Sequence, residues 1–331
     1  MTTFPYKFEE YQGGVADAIK LNPGGWVMLS TYQEDAEKLY NFGARPDDIW
    51  LVGHPKTGTT WSSELLWTVL HDADVEGART IPQMDRICYP EYDFIIVKRD
   101  LADMVQECKK LGKEVPEKLL KESTKSHYQM AVEHPSPRLL RTGMCLELLS
   151  PKLLDTCKVV YVTRNPLDTC VSFYHFINSM EATKEHVDFQ DFFQLFLADL
   201  VPFGPFWKHV KYAWEKRHHP NMLFLFYEDM KADLPGVIKK VADFVGKSLT
   251  EEQIERVAQY LSFDEMKKNK MVNLDSEREM GVWKKDSDFV RKGIVGDYKN
   301  HMTPEMIEQL RKWWKEHMED CDIKFPGFDE L

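Results

Sequence analysis

The sequence predicts an α/β fold: a single domain with a central parallel sheet flanked by helices and a P-loop-like anion-binding loop. Three stretches predict it. Each sets a short apolar run before a turn and then places apolar residues at helical spacing. Strands that are apolar throughout and separated by helices belong to a parallel sheet covered on both faces. Ligands of such sheets gather at the carboxyl ends of the strands.

The first stretch is DDIWLVGHPKTGTTWSSELLWTVLHDA, residues 47 to 73. Ile49 to Val52 read as strand, Pro55 and Gly58 mark a turn, and Trp61, Leu65, Leu66 and Val69 share one helical face. The second, KVVYVTRNPLDTCVSFYHF (158 to 176), repeats the grammar: Val159 to Val162 as strand, Asn165-Pro166 as turn, helix from Val171. In the third, MLFLFYEDMKADLPGVIKKVADFVG (222 to 246), the helix should open near Pro235 and stop near Gly246. Tyr89 to Pro137 and Thr183 to His219 hold helical patches such as FQDFFQLFLADL and many aromatics. Two readings stay open for them, the walls of a substrate cavity or helices packing their own core.

At 331 residues, with 43% hydrophobic and 12% aromatic content, the chain can bury a sizeable core, and no linker, repeat or low-complexity tract divides it. One domain over 1–331, with insertions, is expected. A formal charge of -11 argues against nucleic acid as the main partner, so an anionic ligand must be held by local cations. The six cysteines, Cys88, Cys108, Cys145, Cys157, Cys170 and Cys321, form no CxxC pair. That pattern fits reduced thiols better than disulfides or zinc. MTTFPYKFEE is no signal peptide, and no apolar run approaches the ~18 residues that span a bilayer. A cytoplasmic protein with no membrane partner is expected.

GHPKTGTTW, residues 53 to 61, joins the first strand to its helix with two glycines, one lysine and three threonines. Backbone N–H groups and the positive end of a helix dipole favour an oxyanion there, and Lys56 adds a full charge. A nucleotide-hydrolysing GxxxxGK[ST] loop would place the lysine after the second glycine, whereas here it precedes Gly58. On its own the loop reads equally as a plain turn.

HPKTGTTW resembles the 5'-phosphosulfate loop, of pattern YPKSGTTW, of the cytosolic sulfotransferases. VTRNPLDTCVSFYHF is similar to that family's 3'-phosphate segment, RNPxDxxVSxYHF. FVRKGIVGDYKNH (289 to 301) is similar to its RKGxxGDWKNxF signature. The three occur in the family's order, with FYED and SFDEMKKN between them, and the resemblance runs from about Arg45 to Thr303.

The resemblance implies transfer of a sulfuryl group from the nucleotide PAPS to a small hydroxylated acceptor, a phenol or an alcohol, leaving PAP; no metal is needed. By the same matching, Lys56 would meet the phosphosulfate and steady the leaving oxygen, and Thr57, Gly58, Thr59 and Thr60 would bind phosphate oxygens. A fixed cation with preorganised donors suits charge building on a leaving phosphate. Trp61 would stack on adenine. Arg164 and Ser172, with Arg291, Lys292 and Gly293, would hold the 3'-phosphate, where a guanidinium fork suits the ligand better than an ammonium. Tyr227, Ser262 and Phe263 match further nucleotide contacts, although Leu261 stands where the family has Thr. Lys299, Thr303 and Glu308 match the dimer segment KxxxTVxxxE, with Pro304 replacing its valine.

SPRLLRTGMCLELLS departs from the family's SPRxxKTHLPxxLLP at its centre. Ser136-Pro137-Arg138 and Leu148-Leu149 anchor an ungapped match that puts Gly143 at the general-base histidine, Arg141 at the assisting lysine and Cys145 at the first proline. A positioned base supplies about 10²- to 10⁴-fold in rate. Reduced or atypical activity is therefore expected, with acidic phenols suffering least. His54, Glu133 and His134 are candidates to replace the base, each weighed against a packing or surface role. Cys145 is a weak base unless its pKa is shifted, and His175 belongs to the shared YHF motif. Two alternatives stand beside the transferase: a non-catalytic nucleotide and small-ligand binding protein of the same fold, and a phosphate-transferring P-loop enzyme. The lysine's position and the lack of a downstream acidic metal motif weigh against the last.

Overall fold

The computed structural model describes residues 2–11, 17–95, 102, 105–106, 108–112, 114–115, 117–180, 186–272, 283–284 and 291–328. Three strands near the amino terminus, β1 (Lys7–Tyr11), β2 (Ala18–Asn22) and β3 (Trp26–Leu29), form an antiparallel sheet. The central sheet is parallel, in the order β5-β4-β6-β7, from β4 (Ile49–Val52), β5 (Leu139–Thr142), β6 (Lys158–Thr163) and β7 (Met222–Phe226). Three of these four strands are the predicted apolar runs.

Side chains alternate between the two faces of the sheet. Leu51, Val160, Val162, Leu223 and Leu225 pack with Leu65, Leu66 and Val69 of helix α1 (Thr59–Leu70). Trp50, Val52, Val159, Tyr161 and Phe224 face the other way, in one cluster with Phe173, Phe192 and Phe206. Those rings come from helices α2 (Pro166–Ser179), α3 (Phe189–Leu197) and α4 (Phe206–Glu215). The patch FQDFFQLFL is thus a core helix.

Helix boundaries follow local chemistry. Asn165 caps α2, its side chain accepting Asp168 N–H at 2.9 Å, and Pro166 takes the first position, where no N–H is needed. Helix α5 (Leu234–Val245) opens on Asp233, which accepts Gly236 N–H at 3.0 Å, and ends at Gly246 with φ 81°. Thr303 caps helix α6 (Pro304–His317), with Pro304 in its first turn. That accounts for the proline where the dimer segment has valine.

Register then places the site. Val52 pairs with Thr142 on one side and Tyr161 on the other, and Thr163 pairs with Phe226. The residues that follow, Gly53, Gly143, Arg164 and Tyr227, therefore leave the sheet along one carboxyl edge. The chain's path turns back there, since β5 lies to one side of β4 and β6 to the other.

Candidate active site

The loop after β4 is held by close packing. A Cβ on Gly53 would lie 2.5 Å from the Val162 carbonyl, and one on Gly58 2.8 Å from the Tyr227 ring. Gly58 has φ 104° and Lys56 φ 73°, so the loop reverses through left-handed backbone before α1 begins at Thr59. Pro55, Lys56, Gly58, Thr59, Thr60 and Trp61 line one cavity at the sheet edge.

Cations converge on that cavity from distant parts of the chain: Lys56, Arg141, Arg164, Lys231, Arg291 and Lys292. Burial, and then the charges of Arg164 and Arg291, pull the Lys56 ammonium down to about 7. An anionic ligand among these groups would reverse that shift. Arg164 lies over the Tyr227 ring at 4.5 Å and donates to the Ile294 carbonyl at 2.8 Å, while its Nε is buried with no partner among the described residues. Arg291 and Lys292 both pair with Asp297. Burial would raise the Asp297 carboxyl, but donation from Lys292, Asn300 and Arg291 holds it well below the usual carboxylate range.

The carboxyl-terminal loop is tied to α2 through its main chain. Asp168 accepts Gly296 N–H at 2.8 Å and Tyr298 N–H at 3.0 Å. Gly293 has φ 62°, and a Cβ there would collide with the Phe263 ring. Trp61 is fixed by its Nε1–H bond to the Leu261 carbonyl at 2.8 Å and stands edge-on to Tyr227. Leu261 thus contributes main chain where the family has a Thr side chain.

Most of the expected set is brought together: Lys56, Gly58, Thr59, Thr60, Trp61, Arg141, Arg164, Ser172, Tyr227, Phe263, Arg291, Lys292 and Gly293 share the lining. Two expected contacts do not belong to it. Thr57 is fully buried, its hydroxyl directed to the carbonyls of His54 and Val162 at 2.7 and 3.0 Å. Ser262 sits at the N-cap of the short helix Phe263–Lys268, between Leu261 and Phe263, which do line the cavity. Phe289 and Val290, which open the FVRKG motif, lie outside the described residues.

At the far end of the cavity the expected base is missing and Phe203 packs beside its place. A Cβ on Gly143 would meet Phe203 and Pro55, each at 3.4 Å, and both line the cavity. Arg141 is held by the Gln83 side-chain oxygen at 2.8 Å and lies over the Tyr89 ring at 4.4 Å. Tyr89, Tyr92 and Ile95 from the first of the two stretches left open by the sequence, and Phe203 from the second, form a largely aromatic wall.

The suggested replacements do not reach the cavity. His54 is buried against Phe173, Phe206 and His209, and burial holds its pKa well below the usual value. Glu133 pairs with Lys125 on the surface, and His134 lies nearby with its ring nitrogen at 2.9 Å from the Pro135 carbonyl. Cys145 is buried and its thiol pushed up by desolvation. His175 does line the cavity, but burial and then Arg291 lower it to about 4.

Sequence reasoning missed Lys231, Phe176, Met266 and Trp283 in the lining. Lys231 had a signal: it lies one helical turn beyond Tyr227, and its Nζ stands 5.7 Å from Trp61 and 5.9 Å from Phe263. Trp283 had none.

A parallel sheet whose carboxyl edge carries a glycine-bearing loop and a cluster of cations defines an α/β protein with a candidate anion-binding site. Comparison with known proteins names the family: residues 46–322 match the model described as the sulfotransferase domain, and the chain belongs to the sulfotransferase family. It is similar to mouse Sulfotransferase 1E1, 33% identical over 319 residues covering 96% of this chain and 95% of that one. It is also similar to dog Sulfotransferase 1A1, 35% identical over 302 residues, 91% and 93% of the two chains. Among solved structures it resembles retinol dehydratase in a complex with retinol and PAP, with TM-score 0.85, 34% identity, and coverage of 98% of this chain and 99% of that chain. Mouse sulfotransferase SULT7A1 complexed with PAP matches at TM-score 0.64, 25% identity, and 95% coverage of both chains. No helix among the described residues is long and apolar enough to cross a membrane.

Proposed function

We propose that this chain is a PAPS-dependent sulfotransferase that moves a sulfuryl group to a small, largely apolar hydroxylated acceptor. One observation carries the reading: Lys56, Arg164, Arg291 and Lys292, from loops scattered across 236 residues, line the same cavity as the stacking surface of Trp61 and the aromatic wall by Gly143. PAP bound to two solved relatives supports the nucleotide, and the buried Nε of Arg164, which has no partner among the described residues, fits an anionic oxygen.

In this reading Arg164, Ser172, Arg291 and Lys292 hold the 3'-phosphate, and Arg291 and Lys292 exchange Asp297 for it. Lys56 and the N–H groups opening α1 meet the phosphosulfate, where preorganised charge offsets what develops on the leaving oxygen. Arg141, held rigid by Gln83, replaces the family's lysine at the sulfuryl group. Tyr89, Tyr92 and Phe203 exclude water and orient the acceptor. A relative bound to retinol, and the same kind of protein bound to androsterone, favour an apolar alcohol or phenol. A cytoplasmic location, one domain over 1–331 and a homodimer through Lys299 to Glu308 complete the proposal.

A second reading follows from Gly143: a protein that binds nucleotide and ligand without transferring. Calorimetry with PAP tests the nucleotide, and incubation with PAPS and phenols and alcohols of graded acidity tests transfer. Products should be examined for both the sulfate ester and a dehydrated hydrocarbon, since one solved structure that this chain resembles is named a dehydratase. Saturable PAP binding with ester formation supports the transferase. Binding without any product, together with activity gained by Gly143→His, supports the second reading, and no PAP binding ends both.

A further inference from the structure

Behind Gly143 stands a carboxyl group. Glu91 is 1% exposed. Its Oε1 accepts the Thr142 hydroxyl at 2.7 Å and the Gly143 N–H, and its Oε2 is buried with no partner among the described residues. Thr142 is fully buried, as Thr57 is, but unlike Thr57 it belongs to the cavity lining, between Arg141 and Gly143. Its oxygen also accepts Met144 N–H at 3.0 Å, which leaves one lone pair for a further donor.

We infer that Thr142 and Glu91 form a relay that takes the proton of the acceptor hydroxyl, with Thr142 meeting the acceptor and Glu91 acting through it as a positioning residue. The inference rests on the proposed transferase reading. In the step, the acceptor oxygen bonds to sulfur while the bond from sulfur to the phosphate oxygen breaks, and PAP leaves with that electron pair. The acceptor proton passes to Thr142 Oγ1 as the Thr142 proton passes to Glu91 Oε1. Thr142 ends as it began and Glu91 ends as a neutral acid, which returns its proton along the same path once product has left.

The surroundings suit this task. Burial raises the Glu91 carboxyl to about 7, against opposing bonds from Thr142 and Gly143 N–H and the charge of Arg141. A proton acceptor works best when its pKa lies near the ambient pH. The groups facing it from neighbouring segments are Tyr32, Tyr89 and Arg141, and both phenols are raised by burial and by Glu91 itself. His175, at about 4, is a much weaker base.

The test compares wild type with Glu91→Gln, Thr142→Val and Thr142→Ser, using PAPS and an aliphatic alcohol, with PAP calorimetry on each. Because the relay needs ionised Glu91, wild-type kcat/KM should fall as pH drops through about 7. Glu91→Gln and Thr142→Val should lower transfer roughly 10²-fold or more, lose much less on an acidic phenol, and bind PAP within about twofold of wild type. Thr142→Ser should restore transfer. In infrared difference spectra a protonated-carboxyl band should titrate near the same pH in nucleotide-free wild type and vanish in Glu91→Gln. A Glu91→Gln protein that keeps both turnover and the acid limb overturns the relay alone. If that variant fails to fold, unchanged turnover in Thr142→Val overturns it. Wild type that binds PAP but transfers to nothing overturns relay and transferase together, and wild type that binds no PAP overturns the nucleotide assignment as well.

Discussion

The Gln83 side chain joins Arg141 to Glu64, accepting from the guanidinium at 2.8 Å and donating to the carboxylate at 2.7 Å. Glu64 also takes Arg86 at 2.6 Å and belongs to α1, the helix that opens from the anion loop. The residue at the family's lysine position is therefore oriented from the same helix that presents Thr59, Thr60 and Trp61. Gln83→Met keeps the volume but removes both bonds and a third, from Gln83 Nε2 to the Thr60 carbonyl at 3.1 Å. Turnover should fall about tenfold with PAP affinity little changed, and unfolding free energy should drop by about 1–3 kcal/mol for the buried groups left unpaired. Steady-state kinetics, calorimetry and urea unfolding read the three quantities separately.

Lys56 should make nucleotide binding pH-dependent. Without nucleotide its ammonium titrates near 7, lowered by burial, Arg164 and Arg291, so above that pH much of it is neutral. A bound bisphosphate favours the charged form and raises the pKa. Binding must then take up protons at pH 8, and affinity should weaken as pH rises above 7. Calorimetry in buffers of different ionisation enthalpy reveals the uptake, and Lys56→Met should abolish most of it along with most of the turnover.

Gly58 and Gly246 make a matched pair. Both have positive φ, 104° and 81°, but a Cβ at Gly58 meets Tyr227 at 2.8 Å whereas one at Gly246 meets nothing within 4 Å. Gly246→Ala should cost only the left-handed strain, about 1 kcal/mol, and leave PAP binding unchanged. Gly58→Ala displaces the Tyr227 ring and with it the seat of Arg164. PAP affinity should fall at least tenfold, as measured by calorimetry on folded protein.

The starts of β4 and β5 are joined by a buried ion pair. Arg138 Nε and Nη2 donate to the two oxygens of Asp48 at 2.8 and 2.6 Å, and the remaining donors reach the carbonyls of Ala131 and Gly43. Asp48→Ala leaves an uncompensated buried guanidinium, and stability should fall by about 3–5 kcal/mol. Denaturant unfolding checks this, with PAP binding retained at low temperature because the pair lies at the opposite end of the strands from the cavity.

The parallel sheet was legible where strands are apolar throughout, as in Ile49–Val52 and Met222–Phe226. It was not legible at Leu139–Thr142, because half of that strand is an arginine and a threonine. Both are buried only because Gln83 and Glu91 supply partners from 58 and 51 residues away. The β1–β3 meander escaped for a related reason: KFEEY is largely exposed and carries little alternation. The candidate anion site was readable because a phosphate cradle would need particular backbone and charge at fixed spacing. Two of its expected hydroxyls lie outside the lining, and spacing cannot tell a threonine whose hydroxyl faces a ligand from one whose hydroxyl seals its own turn, as that of Thr57 does. Glu91 had no motif to announce it, and only the fold brings it under Gly143.

Asp168 grips the carboxyl-terminal loop by its peptide groups, asking of the residues it fastens only the left-handed backbone of Gly296, φ 88°. Val295, 44% exposed just before that clamp, can therefore drift in identity without unseating Arg291, whereas its neighbour Ile294 also lines the cavity. The outward face of the loop is open to evolutionary change, while its inward face stays fixed by a carboxylate on another helix.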